Sequence, residues 1–559
     1  MKTNVSYFWL CGNFVVRSFG RVITIIALVL VFANFSLSST TAGSTLNRLL
    51  HTMAANESYR VPIGYQTTRL TKPKSSDGLV DYLAAENNLL SKNVTTDNNA
   101  AIKFYDILGP VFCGNKTLWG PAYPASPAYP GQNRWQRHLL AIWHIPQRGA
   151  SQGHIITLAS FCMDKQANAP GTAPLSQQAQ SLARMFLRHP WTSAKSDRLV
   201  QMWLAANEAS LADIRAACEL PHFYVPLITS RLSSGFHLIR NRLLISVGLN
   251  YLPAITDVAR MLNADAAVQL HRGNVGACCR DLLAMHHLAC LLSQQGDLVC
   301  LNNAWSIDEM ACRADIAAVQ SGKIPAREIS LNLINIQRLH RFYPLAAMLN
   351  TNARWSSLDF FELCAAYPKI RSALVHTIYP APKQLYWLKV WTKQYFVNAM
   401  ILSNSLYDQE IAAFRIKPWH ASMTAIFKAQ TRCNQLSKSK PAYKRLVAFI
   451  CCGSGPDEWG LLRAKWHAWR FLDVLSLALT SYRRDHGKFP EGLAQLSPKY
   501  LRAIPRDPFT GKPFQYSTGP AGCTIASPGK FPPGLSGLQG QRSGHALIVH
   551  LRLTQGHEK

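Results

Sequence analysis

One passage near the end of the chain leaves the backbone few choices. Trp466, Trp469, Leu472, Asp473, Leu475, Ser476, Leu479 and Tyr482 recur at helical spacing, which predicts one helix running to about Asp485. Its apolar face is Trp469, Leu472, Leu475, Leu479 and Tyr482. Gly487 stands where a left-handed residue closes such a helix, and Pro490 prevents it from resuming. Pro498 and Pro505 punctuate a short second helical turn. In Asp507-Pro508-Phe509-Thr510-Gly511 the Asp, Pro and Gly each favour a tight turn for a separate reason. Phe514 and Tyr516 alternate across Gln515, as in a half-buried strand.

Tyr482, Arg483, Asp485, Gly487, Pro490, Leu493, Leu496, Pro505, Asp507, Pro508, Phe509 and Gly511 also follow a known order. Over residues 470–527 the chain resembles the soluble domain of type II secretion pseudopilins, with Phe489 where that family usually has Tyr. The resemblance implies a long helix capped by a small sheet, in a protein of the bacterial envelope. It gives Tyr482, Asp485, Gly487, Pro490, Pro505, Asp507, Pro508 and Gly511 structural roles. Two departures limit it. No Gly-Phe-Thr-Leu-Ile-Glu cleavage motif with an apolar assembly helix precedes Trp466. The loop 517–533 contains no Asp or Glu, and calcium needs several oxygen ligands, usually including carboxylates. The family's calcium site is therefore not carried over.

The other end of the chain suggests location. Lys2, Arg17 and Arg21 precede an uncharged run from Val22 to Gly43, just long enough to span a bilayer as a helix. Positive charge on its N-terminal side predicts a cytoplasmic start and an exported remainder. Small residues at Thr40-Thr41-Ala42 also suit a cleaved signal peptide. The expected location is the cytoplasmic membrane, single-pass, with the bulk of the chain on the periplasmic side.

Between these ends the pattern is mainly helical. Residues 44–174 are mixed: a helix from Leu79 to Ser91, a second from Ala100 to Leu108 capped by Asp97-Asn98-Asn99, and a Pro-, Gly- and Tyr-rich loop over 114–132. Residues 175–450 form a helical domain. Periodicity predicts helices over Met202–Cys218, Ile255–His271, Val275–Leu292, Leu331–His340, Leu358–Ala366 and Leu385–Leu406. Gly273-Asn274 makes a hairpin of the second and third. With small Cys278 and larger Leu282 four residues on, this hairpin is similar to one tetratricopeptide unit. A solenoid wants about three such units, and without further copies an irregular bundle is the alternative. The fold class expected is mainly α: an N-terminal anchor, this helical body and a small α+β module over 460–530. A Gly/Pro-rich tail over 531–559 offers an edge strand.

Charge and cysteines narrow the partners. Lys and Arg number 59 against 30 Asp and Glu, a net +29 that suits an anionic surface or polymer. The densest basic region, Lys428 to Arg445, reads as a solvated linker. Fourteen cysteines include no Cys-x-x-Cys, so zinc-type spacing is missing and pairing is open. Export argues against nucleic acid.

Catalytic signatures do not emerge, and the expected catalytic, metal and cofactor-binding residues are none. Gly453-Ser454-Gly455 lacks the spacing of a nucleophile elbow, and there is no phosphate-binding Gly-x-x-x-x-Gly-Lys loop. His286 and His287 are adjacent and cannot share a metal from one helix face; His138 and His144 are six apart. Asp408 and Glu410 are near neighbours without evident opposition. Trp387, Trp391 and Tyr395, with Lys389 and Lys393, form a stripe that serves either a core face or a stacking platform. The function expected is a membrane-anchored envelope protein with a structural or protein-interaction role in a secretion-like assembly. The alternative is an envelope hydrolase acting on an acidic polymer. Expected partners are the lipid bilayer through the N-terminal helix, envelope proteins and an anionic surface or polymer.

Overall fold

The computed structural model describes residues 60–113, 139, 142–143, 153–158, 160–161, 186–191, 198–229, 243–339, 341–367, 392–417, 419–453, 455–529 and 546–552. The anchor segment, the loop 114–132, His138, His144, Trp387 and Trp391 lie outside these residues. Some helix starts are capped by a side chain. Asp81 accepts from the Ala84 N–H at 2.9 Å and opens α1 (Tyr82–Leu90). Asn99 accepts from the Ala101 N–H at 3.1 Å and opens α2 (Ala100–Leu108), which stops at Gly109 with φ 52°.

The single helix expected from Met202 to Cys218 is two, α3 (Arg198–Ala206) and α4 (Glu208–Cys218). Asn207 causes the break. Its side chain accepts from the Ile156 N–H at 2.8 Å and donates to the Ile156 and Trp203 carbonyls, both at 3.0 Å. Such side-chain bonds to backbone compete with helix continuation.

The predicted hairpin is present: α5 (Leu252–His271) and α6 (Val275–Ser293) pack together around Gly273, which has φ 85°. Cys278 and Leu282 are buried. Next, α7 (Leu298–Gln320) starts at Asp297, whose carboxylate accepts from the Val299 and Cys300 N–H groups, and packs on both. α8 (Ala326–Arg338) begins at Pro325, earlier than the Leu331 start expected, because the first turn carries polar residues that periodicity overlooks. α6 is long and apolar enough to cross a membrane, but it is mostly buried inside the body and carries Asp281 and His286, as a core helix does.

A second group of helices follows. α9 (Leu345–Met348), the π-turn Leu349–Ala353 and α10 (Arg354–Ala366) run on continuously, and α11 (Lys393–Arg415) packs against α10. The supposed linker is a helical hairpin, α12 (Trp419–Ser437) and α13 (Ala442–Cys451). Ile426, Ala429, Cys433 and Leu436 are buried along one face of α12, while Lys428, Lys438 and Lys440 are exposed. Charge on the outer face hid the apolar inner one. A Cys433–Cys452 disulfide ties the two helices, with Cα atoms 6.1 Å apart.

The last helix, α14 (Pro456–His486), is 31 residues long and starts ten residues before Trp466. Gly487, with φ 72°, closes it and donates its N–H to the Arg483 carbonyl at 2.8 Å. After a 3-10 turn at Leu493–Leu496 come β1 (Gln515–Gly519), β2 (Gly522–Ser527) and β3 (Leu547–Arg552), an antiparallel meander in that order with β3 at an edge. Gln515 pairs with Ala526, and Ile525 with Val549. Gly522 is obligatory: a Cβ there would sit 2.0 Å from the Leu551 carbonyl oxygen. One apolar core runs from α2 through α5–α8 into Leu472, Leu475 and Leu479 of α14 and on to Ile525 and Val549 of the sheet.

Candidate functional site

Polar groups converge where α6, α7 and α14 meet. Two of these helices present side chains at the same spacing. Asp308, Cys312 and Asp315 on α7 and Trp466, Arg470 and Asp473 on α14 each fall at i, i+4 and i+7, on one helical face. His286 of α6 enters between them. Its Nδ1 is 2.6 Å from Asp308 Oδ1, and its Nε2 is 2.9 Å from Asp315 Oδ2. The Trp466 indole N–H donates to Asp308 Oδ2 at 2.6 Å, and Arg470 reaches the same oxygen at 3.1 Å. His286, Asp308, Asp315 and Asp473 are all buried.

The electrostatics follow from this packing. Burial alone would raise the Asp308 carboxyl, but Arg470 and His286 override it and hold its pKa at about 2. Burial likewise disfavours a charged His286, yet Asp308 and Asp315 keep the imidazolium to about pH 10. Both ring nitrogens face carboxylates, so both carry protons in this arrangement. Asp473 is the exception. Neither of its carboxyl oxygens has a hydrogen-bond partner. Burial, followed by the charge of Asp315, pushes its pKa well above the usual carboxylate range. Burial pushes the Cys312 thiol well up too. One atom each from His286, Cys312 and Asp473 lie within 4.8 Å of one another, close enough for a shared metal ion.

Among the described residues, two surface clefts are lined by arginines. The larger, about 690 Å³, is lined by Arg215, Arg272, Arg280, Glu208 and Asp265. Arg215 there bridges Asp265 at 2.7 Å and Asp281 at 2.5 Å. The smaller, about 390 Å³, is lined by Tyr65, Arg69, Arg354, Trp355, Asp408 and Arg415. Asp408 is held by Arg69 and, at 2.7 Å, by Arg354, while Arg69 stacks over the Tyr65 ring. Glu410 does not join Asp408; it is buried and its pKa is pushed up to about 8 by that burial. The neighbouring acids therefore form no opposed pair. Tyr395 of the aromatic stripe is exposed and meets the Tyr443 ring edge-on.

The C-terminal motif residues hold the end of the chain together. Tyr482 stacks on His486 and lies 5.8 Å from the Tyr500 ring. Asp485 Oδ2 accepts from Lys499 Nζ and Tyr500 Oη, both at 2.6 Å. These bonds lower its pKa. The Pro490 carbonyl accepts from Tyr516 Oη at 2.7 Å, linking helix end to strand. Pro505 leads into the turn, and Pro508 is buried within it. Asp507 Oδ1 accepts from the Phe509 and Thr510 N–H groups and from Thr510 Oγ1 at 2.8–3.0 Å. Gly511 closes the turn with φ 70°, its N–H on the Asp507 carbonyl at 2.8 Å.

Periodicity passed over the His286 cluster. The legible signal was Asp473, a carboxylate on the same run as Leu472, Leu475 and Leu479. An acid on a core-facing stripe demands a buried partner. No protein-family profile, no curated protein and no solved structure matches this chain.

Proposed function

We propose that the protein is a membrane-anchored envelope component with a structural or protein-interaction role, working within a secretion-like assembly. The carrying observation is the C-terminal arrangement. A long helix closed by a left-handed Gly487, an Asp507-centred turn and a three-stranded meander follow one another in the order the pseudopilin resemblance implies. The uncharged run Val22–Gly43, behind Arg17 and Arg21, supplies the tether. A net charge of +29 and two arginine-lined clefts favour anionic surroundings, such as lipid headgroups or an acidic envelope polymer. The hydrolase reading finds less support: of the acids lining the clefts, Asp265 and Asp408 are each bound to arginine, and Glu208 lies in the field of Arg215.

The test combines topology with capture. A C-terminal epitope tag is expected to resist protease in intact cells and to be cleaved once the outer envelope is permeabilised, with the protein sedimenting with membranes. Crosslinking in cells should then yield discrete higher-mass species containing envelope proteins. A tag that stays protected until the cytoplasmic membrane is lysed, or a freely soluble protein without crosslinked partners, overturns the reading.

A further inference from the structure

We propose that His286, Cys312, Asp315 and Asp473 form a structural site for a divalent transition metal of borderline softness, zinc foremost. The argument starts from Asp473. It is fully buried, points into the junction of three helices, and has two carboxyl oxygens without a hydrogen-bond partner. A buried, unsatisfied carboxyl is costly, and a chain keeps one when something else completes it. His286 and Cys312 lie within reach of it, their ligand atoms and that of Asp473 all within 4.8 Å.

The donor set is one imidazole, one thiolate and carboxylates, which suits tetrahedral zinc better than calcium or magnesium. The imidazole is already oriented as a ligand would be. His286 Nδ1 is 2.6 Å from Asp308 Oδ1, and Asp308 is itself fixed by Trp466 and Arg470. A histidine whose far nitrogen donates to a carboxylate is the usual support of a metal-binding ring. That leaves Nε2 facing Asp315 at 2.9 Å. Two metal bonds at a tetrahedral angle need an N···O separation of about 3.3 Å, so Asp315 must withdraw from the ring by about 0.4 Å and turn toward Cys312 and Asp473 to become the fourth ligand. The separations among His286, Cys312 and Asp473 must shrink by up to about 1.5 Å, a movement shared between side chains and within the reach of their rotation on fixed helices.

The protons balance. Loading one dication releases the Cys312 thiol proton, the Asp473 carboxyl proton and the Nε2 proton of His286. Nδ1 keeps its proton for Asp308. The cluster is sealed from solvent, so the ion enters during folding and stays, joining α6 and α7 to α14. The site lies outside the proposed role of the protein, and its test does not depend on where the chain resides.

Full-length protein, extracted in detergent from cells grown with zinc, is assayed for all transition metals. About one zinc per chain is expected. Asp473→Asn and Cys312→Ser should each lower metal content by roughly tenfold or more. Asp473→Asn separates the alternatives: it keeps the size of the neutral carboxyl and removes only the capacity to ionise and bind a metal, so in a metal-free cluster it should leave stability equal or higher, whereas a metal ligand lost there lowers the melting temperature. Protein from cobalt-grown cells provides a readout that needs no variant, a thiolate-to-cobalt charge-transfer band with visible ligand-field bands. A natively folded wild-type protein without stoichiometric metal and without the cobalt bands overturns the proposal, as does an Asp473→Asn protein that keeps its metal.

Discussion

Trp466 donates its indole N–H to Asp308 Oδ2 at 2.6 Å, joining α14 to α7 across 158 residues of sequence. The acceptor is a buried charge that also meets His286 and Arg470. Around the bond, Trp466 stacks on Trp305 with ring centres 5.5 Å apart and packs on Phe342. Phenylalanine at 466 would keep much of the ring packing and remove the donor. Trp466→Phe should therefore cost about 2 kcal/mol, the usual worth of a hydrogen bond to a charged group. Urea unfolding with an unchanged slope and a lower midpoint is the expected result. An unchanged midpoint would mean that packing alone holds α14 to the body.

The turn at Asp507 is a separate test of the C-terminal fold. One carboxylate oxygen accepts three hydrogen bonds, and the residue is buried. Asp507→Ala leaves two N–H groups and a hydroxyl without their acceptor. We expect a loss of about 2 kcal/mol, and hydrogen exchange that speeds up first across the Asp507–Gly511 turn and β1. Asp507→Asn, which keeps the accepting oxygen, should recover most of the loss.

How much of this was readable beforehand depended on whether the signal was local. Gly487, Asp507 and Gly511 act through φ angles and hydrogen bonds within a few residues, so the helix end and the turn were legible from spacing alone. The α5–α6 hairpin was legible for the same reason. The break at Asn207 was not, because it depends on Ile156, 51 residues away. The α12–α13 hairpin was masked by its lysines, although Ile426, Cys433 and Leu436 kept a helical period. The His286 cluster needed three helices to meet. The residues that build it are ordinary in isolation, and only the misplaced polarity of Asp473 betrayed it.

The Cys433–Cys452 disulfide closes a loop with a sequence separation of 19 and ties α12 to the end of α13. On the loop-entropy view a cross-link of this span contributes about 3 kcal/mol. Cys433→Ser should lower stability by that order. Peptide mapping of the isolated protein without reductant should recover a linked pair containing Cys433 and Cys452. Disulfides persist in oxidising compartments, so recovery of the linked pair also bears on export. Recovery of both as free thiols from freshly alkylated cells would contradict it.

Glu86 gives the protein a pH response of defined sign. The side chain is buried in α1 and accepts from Asn352 Nδ2 at 3.0 Å, while its other oxygen has no hydrogen-bond partner. Burial raises its pKa from 4.5 to about 8 in the folded protein, with Asp297 adding to the rise and Asn352 opposing it. Between those values the folded state keeps a proton that the unfolded state has lost. Its contribution to stability is therefore complete below pH 4.5 and is lost as pH rises through 8. The loss from one such group approaches about 1.4 kcal/mol per pH unit. Glu410, raised to about 8 by its own burial, adds a second loss of the same sign. Glu86→Gln keeps the oxygen that Asn352 needs and has no proton to lose. We expect it to match the wild type near pH 5, exceed it at pH 8, and flatten the decline between the two in urea titrations. A Glu86→Gln protein that falls with pH as steeply as the wild type would show that Glu86 is ionised in its buried site.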